Sequence, residues 1–289
     1  MAQQDESLRS NTTTERILAV RGDQQLERAD RLATEEPMEI QVRGAGQEVE
    51  RVAVTMRTPG NDFELAVGFL FTEGLIHSRD EVESVRYCET ELPEQRYNVV
   101  TVRLTRPFDA GTFRRNFYAT SSCGVCGKAS IDHIELECAR LLPGPVVSRS
   151  VIAGLPDALR AAQRVFEQTG GLHASGLFDT SGTLLSLRED VGRHNALDKV
   201  VGEALLQGTL PLSDHVLQVS GRTSFEIVQK AAMAGIPIVC AVSAPSSLAV
   251  ASARRLGMTL VGFVRGDRFN VYANPERIDL SHRAGGPGG

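Results

Sequence analysis

Apolar residues follow two different rhythms along the chain. In the first 110 positions they mostly alternate with polar ones, the period of a strand with one buried face. Val52, Val54 and Met56 show it within 50–57. This pattern predicts short strands at 15–21, 38–42, 50–57, 82–88 and 97–104, with a hairpin turn at Gly44-Ala-Gly46. Thr58-Pro-Gly-Asn-Asp62 breaks the third strand and leads into a helix at 63–72, with Leu65, Phe69 and Leu70 on one side and Gly74 past its end. A second helix is expected over 129–142, stopped by Pro143-Gly-Pro145.

From residue 155 the rhythm changes to alternating helices and strands. A helix is predicted from Pro156 at its first position to Gln168. Strands at 172–178 and 183–187 then form a hairpin across Asp179-Thr-Ser-Gly182. After a helix at 192–206 come strand 215–220, helix 223–234, strand 236–242, helix 246–256, and strands 259–264 and 268–273. Strands as apolar as Ile238-Val-Cys-Ala-Val242 are those of a partly parallel sheet covered on both faces. The resulting organisation is a polar tail at 1–13, a smaller β-rich α/β unit at 14–120, a larger α/β unit at 121–274, and a flexible tail at 275–289.

Composition narrows the function. The 289 residues are 42% hydrophobic and 23% charged, with a net charge of −5. That balance gives no reason to expect nucleic acid or a membrane surface as partner. No apolar run reaches the roughly 18 residues of a membrane span. The polar start lacks a signal-peptide centre, and five scattered cysteines are no secreted disulfide framework. The expected compartment is the cytoplasm, where thiols stay reduced.

Ser-Ser-Cys-Gly-Val-Cys-Gly-Lys at 121–128 holds the one close cysteine pair, Cys123 and Cys126, wrapped in glycine. Such a pair can supply half a metal site, cycle between dithiol and disulfide, or carry sulfur as a persulfide. Zinc wants four ligands. Completing the set needs His133 and Cys138, both on the expected helix, so no zinc is expected. The zinc deaminase signature fits poorly, because His133-Ile-Glu135 follows the pair instead of preceding it. A thioredoxin-type redox pair stays open.

Ligands of open α/β sheets sit beyond the carboxyl ends of strands. Ser220-Gly-Arg-Thr-Ser224 and Ser243-Ala-Pro-Ser-Ser247 occupy two such junctions, where helix N-termini, hydroxyls and Arg222 suit a phosphate. Plain helix capping explains either junction alone. His194, in Asp190-Val-Gly-Arg-His-Asn195, and His173, after Gly170-Gly171, read as acid/base groups or as simple hydrogen-bonders. Arg265-Gly-Asp-Arg268 reads first as a hairpin turn whose arginines equally suit phosphates.

Five segments occur in order: the Cys motif, Thr169-Gly-Gly-Leu-His-Ala-Ser-Gly176, Arg188-Glu-Asp-Val-Gly-Arg-His-Asn-Ala-Leu-Asp-Lys199, Ser220-Gly-Arg-Thr-Ser-Phe-Glu226 and Phe263-Val-Arg-Gly-Asp-Arg268. Together they resemble the formate dehydrogenase accessory sulfurtransferases, the FdhD/NarQ family, over about residues 15–274. The resemblance implies a cytidine-deaminase-like three-layer α/β sandwich and a homodimer. It implies a carrier that takes persulfide sulfur from a cysteine desulfurase and passes it to the molybdenum cofactor, bis(molybdopterin guanine dinucleotide), for formate dehydrogenase. GDP would occupy the same pocket as an analogue. By the same resemblance Cys123 carries the sulfur. Cys126 lies nearer the N-terminus of the expected helix, where a thiolate is stabilised, and reads as partner or second carrier. The cofactor would lie against Phe263, Val264, Arg265, Gly266, Asp267 and Arg268, with Arg222 and Ser224 as phosphate contacts. The alternatives are a cofactor-binding chaperone for the dehydrogenase and a thiol–disulfide redox protein.

Overall fold

The structure, a computed structural model, describes residues 10–88, 97–109 and 140–281. It is a mixed α/β fold. The N-terminal part holds a four-stranded sheet in the order β4-β3-β6-β5, from β3 (Glu36–Arg43), β4 (Val49–Arg57), β5 (Val82–Tyr87) and β6 (Val99–Leu104). Strict alternation builds its inner face: Met38, Ile40 and Val42 in β3 and Val100, Val102 and Leu104 in β6 are all buried. Helix α1 (Asp62–Thr72) covers that face through Leu65, Ala66 and Leu70.

The C-terminal sheet has six strands in the order β13-β12-β11-β10-β8-β9. These are β8 (His173–Phe178), β9 (Leu184–Asp190), β10 (Val216–Val219), β11 (Ile238–Ala241), β12 (Thr259–Arg265) and β13 (Arg268–Ala273). β10, β11 and β12 run parallel, and the outer strands are antiparallel, so the sheet is partly parallel as expected. Alternate residues serve two cores. Leu217, Val239, Ala241 and Leu260 face helices α4 (Arg193–Gln207), α5 (Phe225–Met233) and α6 (Ser247–Leu256). Val216, Ile238, Cys240 and Val261 face Ile152, Leu155 and Leu159 of α2 (Arg149–Ala162). The first core continues through α4 into α1 and the four-stranded sheet, so the two parts share one interior.

α1 and α4 meet where glycine faces backbone. A Cβ at Gly68 would lie 1.8 Å from the Asp198 carbonyl oxygen, and one at Gly202 would lie 1.8 Å from the Glu64 carbonyl oxygen. Each helix offers its bare glycine to the other's main chain, and no side chain of any size fits between them.

Several boundaries differ from the expectation. Thr12 and Thr13 belong to β1 (Thr12–Arg21), which pairs with an unforeseen β2 (Gln24–Ala33). Its charged sequence carries no strand alternation, and the turn at Gly22 (φ 57°) imposes the pairing. Pro156 lies inside α2, which starts at Arg149, capped by Ser148. That helix ends at Ala162, and a short α3 (Arg164–Thr169) follows. The expected helix at 129–142 falls mostly outside the described residues, and 140–142 are not helical. The supposed free tail from 275 is partly ordered. Ile278–Asp279 form β14, parallel to β7 (Val147–Ser148), and buried Arg277 donates to the carbonyls of Gly257 (2.6 Å) and Leu142 (2.9 Å).

Candidate functional site

Cys123, Cys126, Cys138 and His133 lie outside the described residues. The site is therefore built from the carboxyl ends of β10, β11 and β12, where the loops are stitched together. Thr223 N–H donates to the Ala244 carbonyl (3.2 Å), Ser246 N–H to that of Thr223 (2.9 Å), and Phe263 N–H to that of Ser243 (3.2 Å).

Most of the polar segment 188–199 serves the scaffold. Asp190, fully buried, pairs with Lys199 at 2.7 Å and accepts from the N–H groups of Thr58 and Gly192 and from Asn195 Nδ2. Lys199 also donates to the Thr58 carbonyl, and Asn195 to that of Met56. Arg188 forks onto Glu64 of α1, and the Glu189 carboxylate accepts the first N–H groups of α3, from Val165 and Phe166. Nearby, buried Lys230 sits among Asp198, Glu73 and Thr72. These bonds satisfy charges taken out of water and clamp α4 to the N-terminal layer.

Two side chains of the segment, Arg193 and His194, are left for other work. Both stand in the first turn of α4, beside β10's carboxyl end. His194 Nε2 is 3.2 Å from the Ser224 hydroxyl and 4.0 Å from the Glu226 carboxylate. Burial, reinforced by the Arg193 charge, pushes its pKa down to about 4, so the ring is neutral at pH 7. His173, at the start of β8, is also lowered, first by burial and then by Arg193. It stands against Gly221, where a Cβ would lie 3.3 Å from the His173 Nδ1. Arg193 Nε is buried with no hydrogen-bond partner among the described residues. Two neutral imidazoles around an incompletely paired guanidinium make a place for an anion and for holding a proton.

The hydroxyl-rich junctions divide by role. Ser246 accepts from Ala249 N–H as an ordinary cap of α6, and Ser220 Oγ accepts from Ala174 N–H. Ser224 stands at the N-cap of α5 but makes no cap bond; its hydroxyl turns to His194 instead. Arg222 is exposed and makes no ion pair among the described residues.

A cavity of about 660 Å³ opens beside the β12–β13 hairpin. Phe263, Arg265, Asp267 and Arg268 line it, joined by Arg149 from the start of α2 and by Phe269. Val264 and Gly266 are absent from its wall, and Val264 is fully buried in the α2 core. Arg222 and Ser224 lie outside it also. A bulge between Gly262 and Arg265 breaks the strand alternation, and Phe263 sits at φ 54° and is 38% exposed. Neither Arg193 nor Arg149 was singled out: the first is one charge within the polar family segment 188–199, and the second lies over a hundred residues from the segment it joins.

Residues 33–279 match the FdhD/NarQ family. The chain belongs to that family. Relatives named sulfur carrier protein FdhD include one from Streptomyces avermitilis, 51% identical over 93% of this chain and 96% of its own. Another, from Mycobacterium tuberculosis, is 49% identical over 92% of this chain and 98% of its own. A solved structure described as a formate dehydrogenase accessory protein, from Desulfotalea psychrophila, superposes with a TM-score of 0.72 at 28% identity, covering 93% of this chain and all of that one. Family members named in this way carry sulfur. Among the described residues no helix is long and apolar enough to cross a membrane.

Proposed function

We propose that this protein takes sulfane sulfur from a cysteine desulfurase and delivers it to the molybdenum cofactor, as bis(molybdopterin guanine dinucleotide), to activate a formate dehydrogenase. The observation that carries this reading is near-full-length similarity, at about half identity, to proteins named as sulfur carriers. In the first step the Cys123 thiolate attacks the terminal sulfur of the desulfurase persulfide. The S–S bond breaks, the desulfurase thiolate leaves, and Cys123 holds the persulfide. In the second, the Cys126 thiolate attacks the Cys123 sulfur. The outer sulfur leaves as sulfide toward the metal, and the pair ends as a disulfide to be reduced again. A reducing cytoplasm suits that cycle.

The cavity chemistry fits the guanine end of such a substrate. Arg149, Arg265 and Arg268 offer charge and forked donors to a pyrophosphate. The exposed Phe263 ring offers a stacking face, and the Asp267 carboxylate suits the N–H donors on guanine's edge. Helices on both faces of the mixed sheet support the deaminase-like reading of the fold.

The test is intact-protein mass after incubation with a desulfurase and cysteine, alongside dehydrogenase activation. Wild type should gain one sulfur atom, and Cys123→Ala should gain none and activate nothing while melting like wild type. A double variant lacking Cys123 and Cys126 should still bind GDP. Activation by that double variant would overturn the carrier reading in favour of a chaperone.

A further inference from the structure

Arg193 has a buried Nε that bonds to nothing among the described residues. Two hydroxyls at the same end of the sheet share that state. Ser175 and Thr223 are each 1% exposed, and neither hydroxyl has a hydrogen-bond partner there. Buried polar groups are normally satisfied, so three orphans at one place point to something that completes them. Strand alternation turns Ser175 to the same face as His173 and Leu177, the α4 side, opposite Val219. Thr223 lies in the loop that carries β10 into α5, two residues past Gly221 and its close neighbour His173. Both helices begin here without a side-chain cap, since neither Gly192 nor Ser224 makes a cap bond. Their first-turn N–H groups add the positive ends of two helix dipoles.

We infer that the first turns of α4 and α5, together with His173, Ser175 and Thr223, form a second anion site that takes a phosphate group. Every unspent group here can donate: the guanidinium, the hydroxyls and the neutral imidazoles. They come from three separate segments, β8 and the starts of α4 and α5, so they surround a tetrahedral anion rather than lie in one plane. A cation would meet Arg193. The carboxylates nearby are already engaged. Asp190 is held by Lys199 and Asn195, and Glu226, half exposed at the rim, takes the Ser224 hydroxyl. A bound anion would also offset the Arg193 charge that both histidines feel. The site is separate from the hairpin cavity and shares no residue with its wall. Arg149 of α2 helps to line that cavity, whereas α4 and α5 cover the opposite face of the sheet. The loop at 243–246, bonded to Thr223 on one side and Phe263 on the other, stands between the two.

Nothing in this site depends on the sulfur-transfer reading, and inorganic phosphate alone tests it. The measurement is a phosphorus NMR or calorimetric titration of the full chain with phosphate in chloride buffer, with and without saturating GDP. Wild type should bind phosphate saturably in both conditions. Arg193→Gln should weaken phosphate about tenfold or more, as loss of a charge-assisted hydrogen bond does, and should leave GDP affinity unchanged. Ser175→Ala removes an orphan hydroxyl, so it should weaken phosphate about threefold or more while melting no lower than wild type. A purely structural hydroxyl would move the melt and not the binding. Absence of saturable binding by wild type overturns the inference, as does R193Q or S175A binding phosphate as tightly as wild type. Phosphate displaced by GDP, or GDP lost in R193Q, makes the two sites one and overturns it equally. A chain that binds phosphate but no GDP refutes the nucleotide cavity and leaves this site standing.

Discussion

Replacing Gly68 or Gly202 by alanine tests the packing that joins the two parts. In most helix interiors this change gains up to about 1 kcal/mol through better propensity. Here the new methyl meets main chain: the Asp198 carbonyl oxygen at 1.8 Å in one case, the Glu64 carbonyl oxygen at 1.8 Å in the other. An ordinary carbon–oxygen contact needs about 1.5 Å more, and backbone cannot rotate aside as a side chain does. The helices must separate, loosening contacts along the whole α1–α4 seam. Overpacking costs about 1–3 kcal/mol where side chains adjust, and more where they cannot. With the propensity gain subtracted, each variant should lose about 2–3 kcal/mol. Thermal melts by circular dichroism should fall by roughly 5–10 °C at this size. Gly154→Ala, on the exposed face of α2 with nothing within 4 Å of its Cβ, is the control and should melt at or above wild type. The double variant should cost less than the sum, because the first methyl has already parted the helices. If G68A and G202A melt like G154A, the close approach is wrong.

Arg57→Met should cost about 3–5 kcal/mol in urea unfolding, because it strips buried Asp62 of a two-pronged partner at 3.1 and 2.8 Å; a cost under 1 kcal/mol would contradict the burial of that pair. His194, held to about 4 when folded, regains an ordinary pKa near 6.5 on unfolding, so its contribution is full above 6.5 and is lost as pH falls toward 4. Screening at a one-third exposed ring leaves about 1–2 kcal/mol of that, seen as a shallower loss of stability between pH 6.5 and 4 in His194→Gln. Arg149→Ala and Arg268→Ala should each weaken GDP binding by about 1.5–3 kcal/mol in calorimetry, whereas Arg222→Ala, outside the cavity, should change it by less than about 0.5 kcal/mol. Equal loss at Arg222 would move the nucleotide to the β10–α5 junction.

The sheet was legible because its strands obey simple rules: Ile238 to Ala241 are apolar throughout, as strands covered twice must be, and small polar residues and glycines mark off the helices between them. β2 was not, since its residues pattern for water on both sides and a turn alone folds them back. In the site, the run from Phe263 to Arg268 stood out as a charged turn, and Phe263, Arg265, Asp267 and Arg268 of it line a cavity. The run 188–199 misled in a different way. Its polarity is mostly internal, with Asp190 and Lys199 bonded to Thr58 before α1 and Asn195 to the end of β4, and distance in sequence hides those partners. Arg149 and Arg193 acquire meaning only from neighbours that folding supplies.

Phe263 shows what the chain gives up for that cavity. A bulky residue at φ 54° occupies a conformation that glycine adopts freely and others adopt at a cost of about 1–2 kcal/mol. The ring recovers little of it, standing partly in water. Selection for a more robust molecule would place glycine here and lose the aromatic wall. With the nucleotide seated as proposed, heat tolerance and ligand contact would pull against each other at this bulge, and a stabilising change here should be checked for lost GDP binding before it is counted as an improvement.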